Sequence, residues 1–136
     1  MTQILTGHCL CGAIRYRCGP LLYPPTLCHC ESCRRACAAH AVGWLTVRNV
    51  DLAFTGATPR EFASSPGVQR TFCGNCGTPL TYRNTQRPLE VDITVCSLED
   101  PALAAPVDHI WMQDAPAWDS PADGLSRHLQ GRQTLA

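Results

Sequence analysis

Cysteine is the residue type that most constrains this chain, because ten of its 136 residues are cysteines. Seven of the ten lie in three short clusters, which are Cys9-x-Cys11, Cys28-x-Cys30-x-x-Cys33 and Cys73-x-x-Cys76. Cysteines two or three residues apart are poor disulfide partners, whereas one metal ion can gather several thiolates at about 2.3 Å each. The spacing therefore predicts metal sites in preference to a disulfide framework.

The rest of the composition is that of a single globular domain. A chain of 136 residues fits one domain, and two would leave each half with a marginal core. Eleven basic residues balance eleven acidic ones, which argues against a generally basic nucleic-acid binder. Neither a membrane-spanning apolar run nor a secretory signal is visible. We therefore expect a cytoplasmic protein with reduced thiols, no nucleic-acid partner and no membrane association.

Alternating apolar and polar side chains predict a mainly β domain over residues 1–136. Strands are expected at residues 13–17, 42–47, 50–55, 60–63, 68–72, 80–83 and 89–95, with a short one near 109–112. One short helix is expected from Glu31 to about His40, because alanines and arginines follow the second cysteine cluster. Four prolines after Asp100 predict a largely irregular C-terminal tail.

The first and third clusters together supply the four ligands that a structural zinc needs. Glycines inside and after the Cys73-x-x-Cys76 turn let the backbone curl around an ion and point its amides at the sulfurs. Cys9 and Cys11 would present both thiols on one face of an extended strand. We predict a structural zinc on these four cysteines, tying the N-terminal strand to the middle of the chain.

The middle cluster offers only three ligands. Three protein ligands and one exchangeable position are typical of a catalytic zinc, so Cys28, Cys30 and Cys33 are the candidate catalytic ligands. Arg34 and Arg35 follow directly, and they could stabilise the net charge of −1 on a zinc ion with three thiolates. The same two arginines could orient a carboxylate of a thiol substrate by bidentate hydrogen bonds.

A fourth protein ligand would turn the middle site into a closed, structural one. Cys37 lies four residues after Cys33 and would share its face of a helix. His29 and His40 are two further candidates for this position. Cys18 and Cys96 stand alone in strand-like surroundings and are interpreted as small buried apolar residues.

The motifs resemble those of one known family. They are Gly7-His8-Cys9-Leu10-Cys11-Gly12, Cys28-His29-Cys30-Glu31-Ser32-Cys33-Arg34-Arg35 and Arg70-Thr71-Phe72-Cys73-Gly74-Asn75-Cys76-Gly77, followed by His109-Ile110-Trp111 and Trp118. Over about residues 7–118 the chain is similar to the glutathione-dependent formaldehyde-activating enzymes, which include centromere protein V. The resemblance implies a β-tent fold of small antiparallel sheets stapled by zinc, with two ions per chain, one structural and one more labile.

The resemblance also implies an activity. The founding reaction is that of a carbon–sulfur lyase, which condenses formaldehyde with glutathione to S-hydroxymethylglutathione and runs the reverse. We therefore expect a zinc-dependent lyase whose partners are a small thiol such as glutathione and a small aldehyde, and a homo-oligomer is left open. The alternative hypothesis is a non-catalytic zinc-binding structural or interaction module, which Cys37 and the balanced charge would suit. A thioredoxin-like redox role is disfavoured, because no βαβ unit is visible around the Cys73-x-x-Cys76 motif.

Overall fold

The structure is a computed structural model that describes residues 3–132. In that part of the chain it contains one α-helix, α1, at Glu31–Cys37, and four short 3-10 turns. The strands are β1 Leu5–His8, β2 Ile14–Cys18, β3 Thr26–Cys28, β4 Val42–Arg48, β5 Leu52–Gly56, β6 Arg60–Ser65, β7 Val68–Phe72, β8 Pro79–Asn84, β9 Glu90–Thr94, β10 Asp108–Ile110 and β11 Ser126–Arg127. The predicted mainly β architecture with one short helix is confirmed.

The strands form two sheets. The smaller has the order β1-β2-β5 and is antiparallel throughout. The larger has the order β11-β10-β3-β4-β9-β8-β7-β6 and is antiparallel except at one end, where β10 runs parallel to both β3 and β11. This parallel end places the C-terminal tail beside β3, the strand that leads into the middle cysteine cluster.

The main core is built from the inward-facing residues of both sheets. Alternate residues of β2 are buried, as the period of a strand requires. They pack with the fully buried side chains Leu45, Val47, Leu80, Val91 and Ile93. The Tyr16 hydroxyl forms a 2.7 Å hydrogen bond with Ser97, and it packs so closely on Gly7 that a β-carbon there would overlap it. A second, smaller core surrounds the middle cysteine cluster.

Most predicted elements exist, with shifted boundaries. The helix ends at Cys37, three residues before the expected end, because Ala38 turns left-handed with φ of 50° and its amide bonds back to the Arg34 carbonyl. The strand expected from residue 50 begins at Leu52, after a 3-10 turn. Strands β3 and β11 were not predicted, since they have only three and two residues. The N-terminal strand expected to carry Cys9 and Cys11 exists as β1, but it ends at His8. Cys18 is buried as expected, whereas Cys96 is exposed, so the interpretation of Cys96 as a buried residue is wrong. Across residues 3–132 no helix has the length and apolar character to cross a membrane.

Candidate metal centres

Two turns bring the first and third clusters together. Cys9 and Cys11 lie in the turn between β1 and β2, and Cys73 and Cys76 lie in the turn between β7 and β8. The expectation that Cys9 and Cys11 share one face of a strand is therefore wrong. The chain instead reverses at this point, where Gly12 has a φ of 78°. The four sulfur atoms all lie within 4.8 Å of one another.

The spacing of these sulfurs fits one tetrahedral ion. The Cys9 and Cys11 sulfurs are 3.6 Å apart, and those of Cys11 and Cys73 are 3.8 Å apart. A tetrahedron with metal–sulfur bonds of about 2.3 Å has edges of about 3.8 Å. The chemistry and geometry of this donor set therefore fit zinc.

Amide groups surround the same sulfurs. The Ile14 amide lies 3.3 Å from the Cys9 sulfur, and the Asn75 and Cys76 amides each lie 3.4 Å from the Cys73 sulfur. Hydrogen bonds from the Thr78 hydroxyl and amide lower the pKa of Cys76 to about 5. Burial raises the pKa of Cys9, but the Ile14 amide and neighbouring thiols outweigh it, so the net shift is downward. The turns thus favour the thiolate form at Cys9 and Cys76. Hydrogen bonds from the Cys76 and Asn75 amides lower the pKa of Cys73, but burial and the neighbouring thiols raise it overall.

The middle cluster lies where β3 meets α1. Cys28 is the last residue of β3, and Cys30 is the N-cap of α1, where its sulfur accepts a 3.3 Å hydrogen bond from the Cys33 amide. All three sulfurs lie within 4.8 Å of one another. Cys28 and Cys33 are buried, whereas Cys30 is only half-buried. The trio therefore presents one sulfur toward the surface.

Neither Cys37 nor a histidine joins this trio among residues 3–132. The Cys37 sulfur lies outside the group of three, and burial raises the pKa of its thiol to about 11. His29 is engaged elsewhere, since its ring nitrogens lie 2.9 Å from His109 Nδ1 and 3.1 Å from Asp119 Oδ2. His40 Nδ1 is 3.0 Å from the same Asp119 oxygen. The described part of the chain thus supplies three sulfurs and no fourth ligand.

The three thiols of the middle cluster differ in pKa. Hydrogen bonds from the Cys28 and Cys33 thiols hold the pKa of Cys30 far below that of an ordinary thiol. The pKa of Cys28 is raised by its hydrogen bonds to Cys30 and Cys33 and by burial. A hydrogen bond from Cys28 lowers the pKa of Cys33, yet its bond to Cys30 and burial raise it overall. Cys30 is therefore the first thiolate of the trio.

Two cavities flank the middle cluster. One, of about 480 Å³, opens beside Cys30 and is lined further by Glu31, Ser32, Arg35, Tyr82, Trp111 and Asp114. The other, of about 810 Å³, lies between α1 and strands β6–β8, and three guanidinium groups line it, from Arg35, Arg60 and Arg70. Arg35 therefore borders both cavities. Arg34, predicted beside it as a substrate contact, lines neither of the two.

Sequence reasoning did not single out Arg70 and Tyr82, two residues that lie near the trio. Arg70 of β7 extends its Nη2 to 3.8 Å from the Cys33 sulfur, and its guanidinium carbon lies 4.9 Å from the centroid of the Tyr82 ring. Trp111, after β10, adopts an unusual left-handed φ of 58° and lines the cavity beside Cys30. Arg70 stood within a quoted motif, but nothing in its spacing indicated a contact 37 residues away.

The C-terminal tail packs beside β3, on the side opposite β4. His29 Nε2 faces His109 Nδ1, and both imidazoles are buried. The outer nitrogen of each ring lies beside a carboxylate of the tail, Asp119 for His29 and Asp123, 2.8 Å away, for His109. Arg132 Nε and Nη2 bind both oxygens of Asp108 at 2.6 Å and 2.9 Å. The tail is irregular in most places, as predicted, but it is fastened to the fold by these contacts.

Comparison with known proteins agrees with this arrangement. Residues 4–114 match the family described as glutathione-dependent formaldehyde-activating enzyme. An uncharacterised lyase of Schizosaccharomyces pombe is 34% identical over 86 residues, which are 60% of this chain and 61% of that protein. A Halomonas elongata protein, whose name assigns it to the glutathione-dependent formaldehyde-activating enzymes, is 28% identical over 127 residues, or 85% of this chain and 80% of that protein.

A solved structure shares the fold. The crystal structure of a Rhodobacter sphaeroides protein aligns with a TM-score of 0.62 at 21% sequence identity, covering 91% of this chain and 99% of that one. The match to the yeast protein spans about three fifths of that relative's length. The family match, in contrast, covers most of this chain and includes all seven clustered cysteines. The chain therefore belongs to the family of glutathione-dependent formaldehyde-activating enzymes.

Proposed function

We propose that this protein is a zinc-dependent carbon–sulfur lyase that adds a small thiol to formaldehyde or a similar aldehyde, resembling S-(hydroxymethyl)glutathione synthase. The observation that supports it most is the middle cluster, in which three sulfurs converge and the half-buried Cys30 borders a cavity of about 480 Å³. In this proposal Cys9, Cys11, Cys73 and Cys76 hold a structural zinc, and Cys28, Cys30 and Cys33 hold a catalytic one.

The residues of the middle cluster fit such an ion. Three converging sulfurs, one of them a ready thiolate, form a soft donor set with one coordination position left for an outside molecule. When bound, zinc would supply Lewis acidity and favour the thiolate form of an incoming thiol. The chain's own contribution is to place the two reactants beside that position.

The addition balances simply. The substrate sulfur forms a bond to the aldehyde carbon, the carbon–oxygen double bond becomes single, and the proton that leaves sulfur ends on oxygen. Ser32 brings a hydroxyl to this place, because its oxygen lies 3.6 Å from the Cys30 sulfur and its side chain lines both cavities. That hydroxyl can donate a hydrogen bond to the negative charge that develops on the aldehyde oxygen. The rings of Tyr82 and Trp111 also line the smaller cavity.

The larger cavity suits the remainder of a carboxylate-bearing thiol such as glutathione. Arg35, Arg60 and Arg70 line it against a single carboxylate, that of Glu61. Guanidinium groups bind carboxylates through two parallel hydrogen bonds. Arg35 keeps its predicted role as a substrate contact in this proposal. Arg34 keeps the weaker role of compensating charge, because it lines neither cavity.

The test is a rate measurement. Purified protein is mixed with glutathione and formaldehyde, and NMR exchange spectroscopy measures the formation of the hemithioacetal against the spontaneous reaction. We expect acceleration that Cys30→Ser abolishes and that Cys96→Ser, which alters an exposed cysteine outside both clusters, leaves intact. If the wild-type protein does not exceed the spontaneous rate, the lyase proposal fails and the non-catalytic zinc module is favoured.

A further inference from the structure

Arg70 is a buried arginine whose guanidinium lies against a cysteine sulfur of the middle cluster. We infer that Arg70 is a positioning residue for the middle metal site, which offsets the negative charge of its thiolates through Cys33 and thereby raises the zinc affinity of that site. This inference rests on the zinc binding assigned to the site under the proposed function. It does not depend on whether the protein turns over an aldehyde.

The surroundings of Arg70 are unusual for an arginine. Its residue is 8% exposed, because it belongs to the inward-facing positions of β7. Its Nη2 lies 3.8 Å from the Cys33 sulfur, its Nε donates a 3.2 Å hydrogen bond to the Ser64 hydroxyl, and its guanidinium stacks over the Tyr82 ring. Within residues 3–132, Arg70 forms no ion pair with a carboxylate. Among its three contacts, the Cys33 sulfur is therefore the group that can become an anionic metal ligand.

Charge balance gives the buried arginine a role at the metal site. A zinc ion with three thiolates has a net charge of −1, and both Cys28 and Cys33 are buried. A buried charge without a partner of opposite sign is strongly unfavourable. The guanidinium and the metal-loaded trio would each relieve the other's unpaired charge.

The three contacts of Arg70 also fix the direction of its charge. Ser64 holds Nε, Tyr82 supports the face of the guanidinium, and Nη2 remains for the sulfur. A lysine at this position would keep the charge but could not make these contacts with one planar group. We therefore expect Arg70→Lys to retain part of the effect and Arg70→Met to retain none.

A second interpretation is that Arg70 serves the substrate alone, because it also lines the larger cavity. That role would change the KM for an acidic thiol and leave metal affinity untouched. A purely structural role would weaken both metal sites through a loosened fold. Zinc affinity measured separately at each site distinguishes these two interpretations from the one proposed.

The experiment is a chelator competition that measures both zinc dissociation constants in the full-length protein. Cys30→Ser, which should lose one zinc, assigns the middle site. The variants are Arg70→Met and Arg70→Lys, and the matched control is Arg83→Met on the neighbouring strand, where the arginine is half-buried and bonds to the Asn49 side-chain oxygen 3.2 Å away. Far-UV circular dichroism checks that each variant is folded.

We expect Arg70→Met to weaken zinc binding at the middle site about 10- to 100-fold, the range typical of residues that support metal ligands. The four-cysteine site should be unchanged, Arg70→Lys should lie between wild type and Arg70→Met, and Arg83→Met should match wild type. A middle-site affinity within threefold of wild type in Arg70→Met overturns the inference, as does equal weakening of both sites. A wild-type protein that binds one zinc overturns it too, whereas absent lyase activity with the expected affinities overturns only the proposed function.

Discussion

Loss of the four-cysteine metal site should destabilise the protein more than loss of the three-cysteine site. A metal ion joining Cys11 to Cys73 closes a loop of 62 residues, whereas one joining Cys28 to Cys33 closes a loop of five. Treating each ion as a cross-link in the unfolded chain, the loop-entropy relation used for disulfides gives about 4 kcal/mol for the long loop and about 2 kcal/mol for the short one. The free energy of zinc binding itself adds to both values.

Urea unfolding of zinc-loaded protein tests this order. The variants are Cys11→Ser/Cys76→Ser and Cys30→Ser, each of which leaves two cysteines in its cluster, with Cys96→Ser as a control that removes an exposed thiol outside both clusters. With a slope of about 2 kcal/mol per molar urea, the loop terms alone lower the midpoint by about 2 M and about 1 M respectively. The control should stay within about 0.5 kcal/mol of wild type. A Cys11→Ser/Cys76→Ser protein that is as stable as Cys30→Ser would refute the interpretation of the first site as a long-range cross-link.

Three further predictions concern stability, pH and metal dependence. Gly7→Ala should cost about 1–3 kcal/mol, because its new methyl group would overlap the Tyr16 hydroxyl, while Gly131→Ala, which has open space around it, should be neutral in the same thermal unfolding assay. Burial raises the pKa of the Asp108 carboxyl, but hydrogen bonds from Arg132 and a threonine lower it overall, so its stabilisation is present above about pH 4 and is lost as the pH falls through the lowered pKa. Asp108→Asn should therefore cost about 2 kcal/mol in urea unfolding at pH 7 and less at pH 2, and an equal cost at both would contradict this sign. Dialysis against a chelator should reduce the aldehyde–thiol rate to the spontaneous one, and added Zn²⁺ but not Mg²⁺ should restore it.

The local patterns of the chain were enough to predict much of its secondary structure. Strand β2 alternates buried and exposed residues over its whole length, so its period was visible in the sequence. The early end of α1 was not visible in the sequence, because alanine is a good helix former. Ala38 nevertheless adopts the left-handed conformation that ends the helix before β4. Alternation also could not reveal β3, whose three residues pair with strands distant in sequence.

The grouping of the cysteines into four and three followed from spacing, but the contacts around them did not. Cys9 and Cys11 converge through a turn and not along a strand, an outcome that leaves the ligand set unchanged. Arg70 reaches Cys33 from a strand 37 residues away, and Trp111 reaches the cavity beside Cys30 from beyond β10. Such contacts depend on the order of strands in the larger sheet, which no local pattern encodes.

The tail has a consequence for anyone shortening this protein. The family match ends at residue 114, and a designer would naturally cut there. That cut would discard Asp119 and Asp123, the acceptors that stand at either end of the His29–His109 pair. Two imidazoles in the protein interior would be left with nowhere to direct their outer nitrogens, right behind the strand that delivers Cys28. A minimal version trimmed to the shared family core would thus lose the contacts that support the strand behind its three-cysteine cluster.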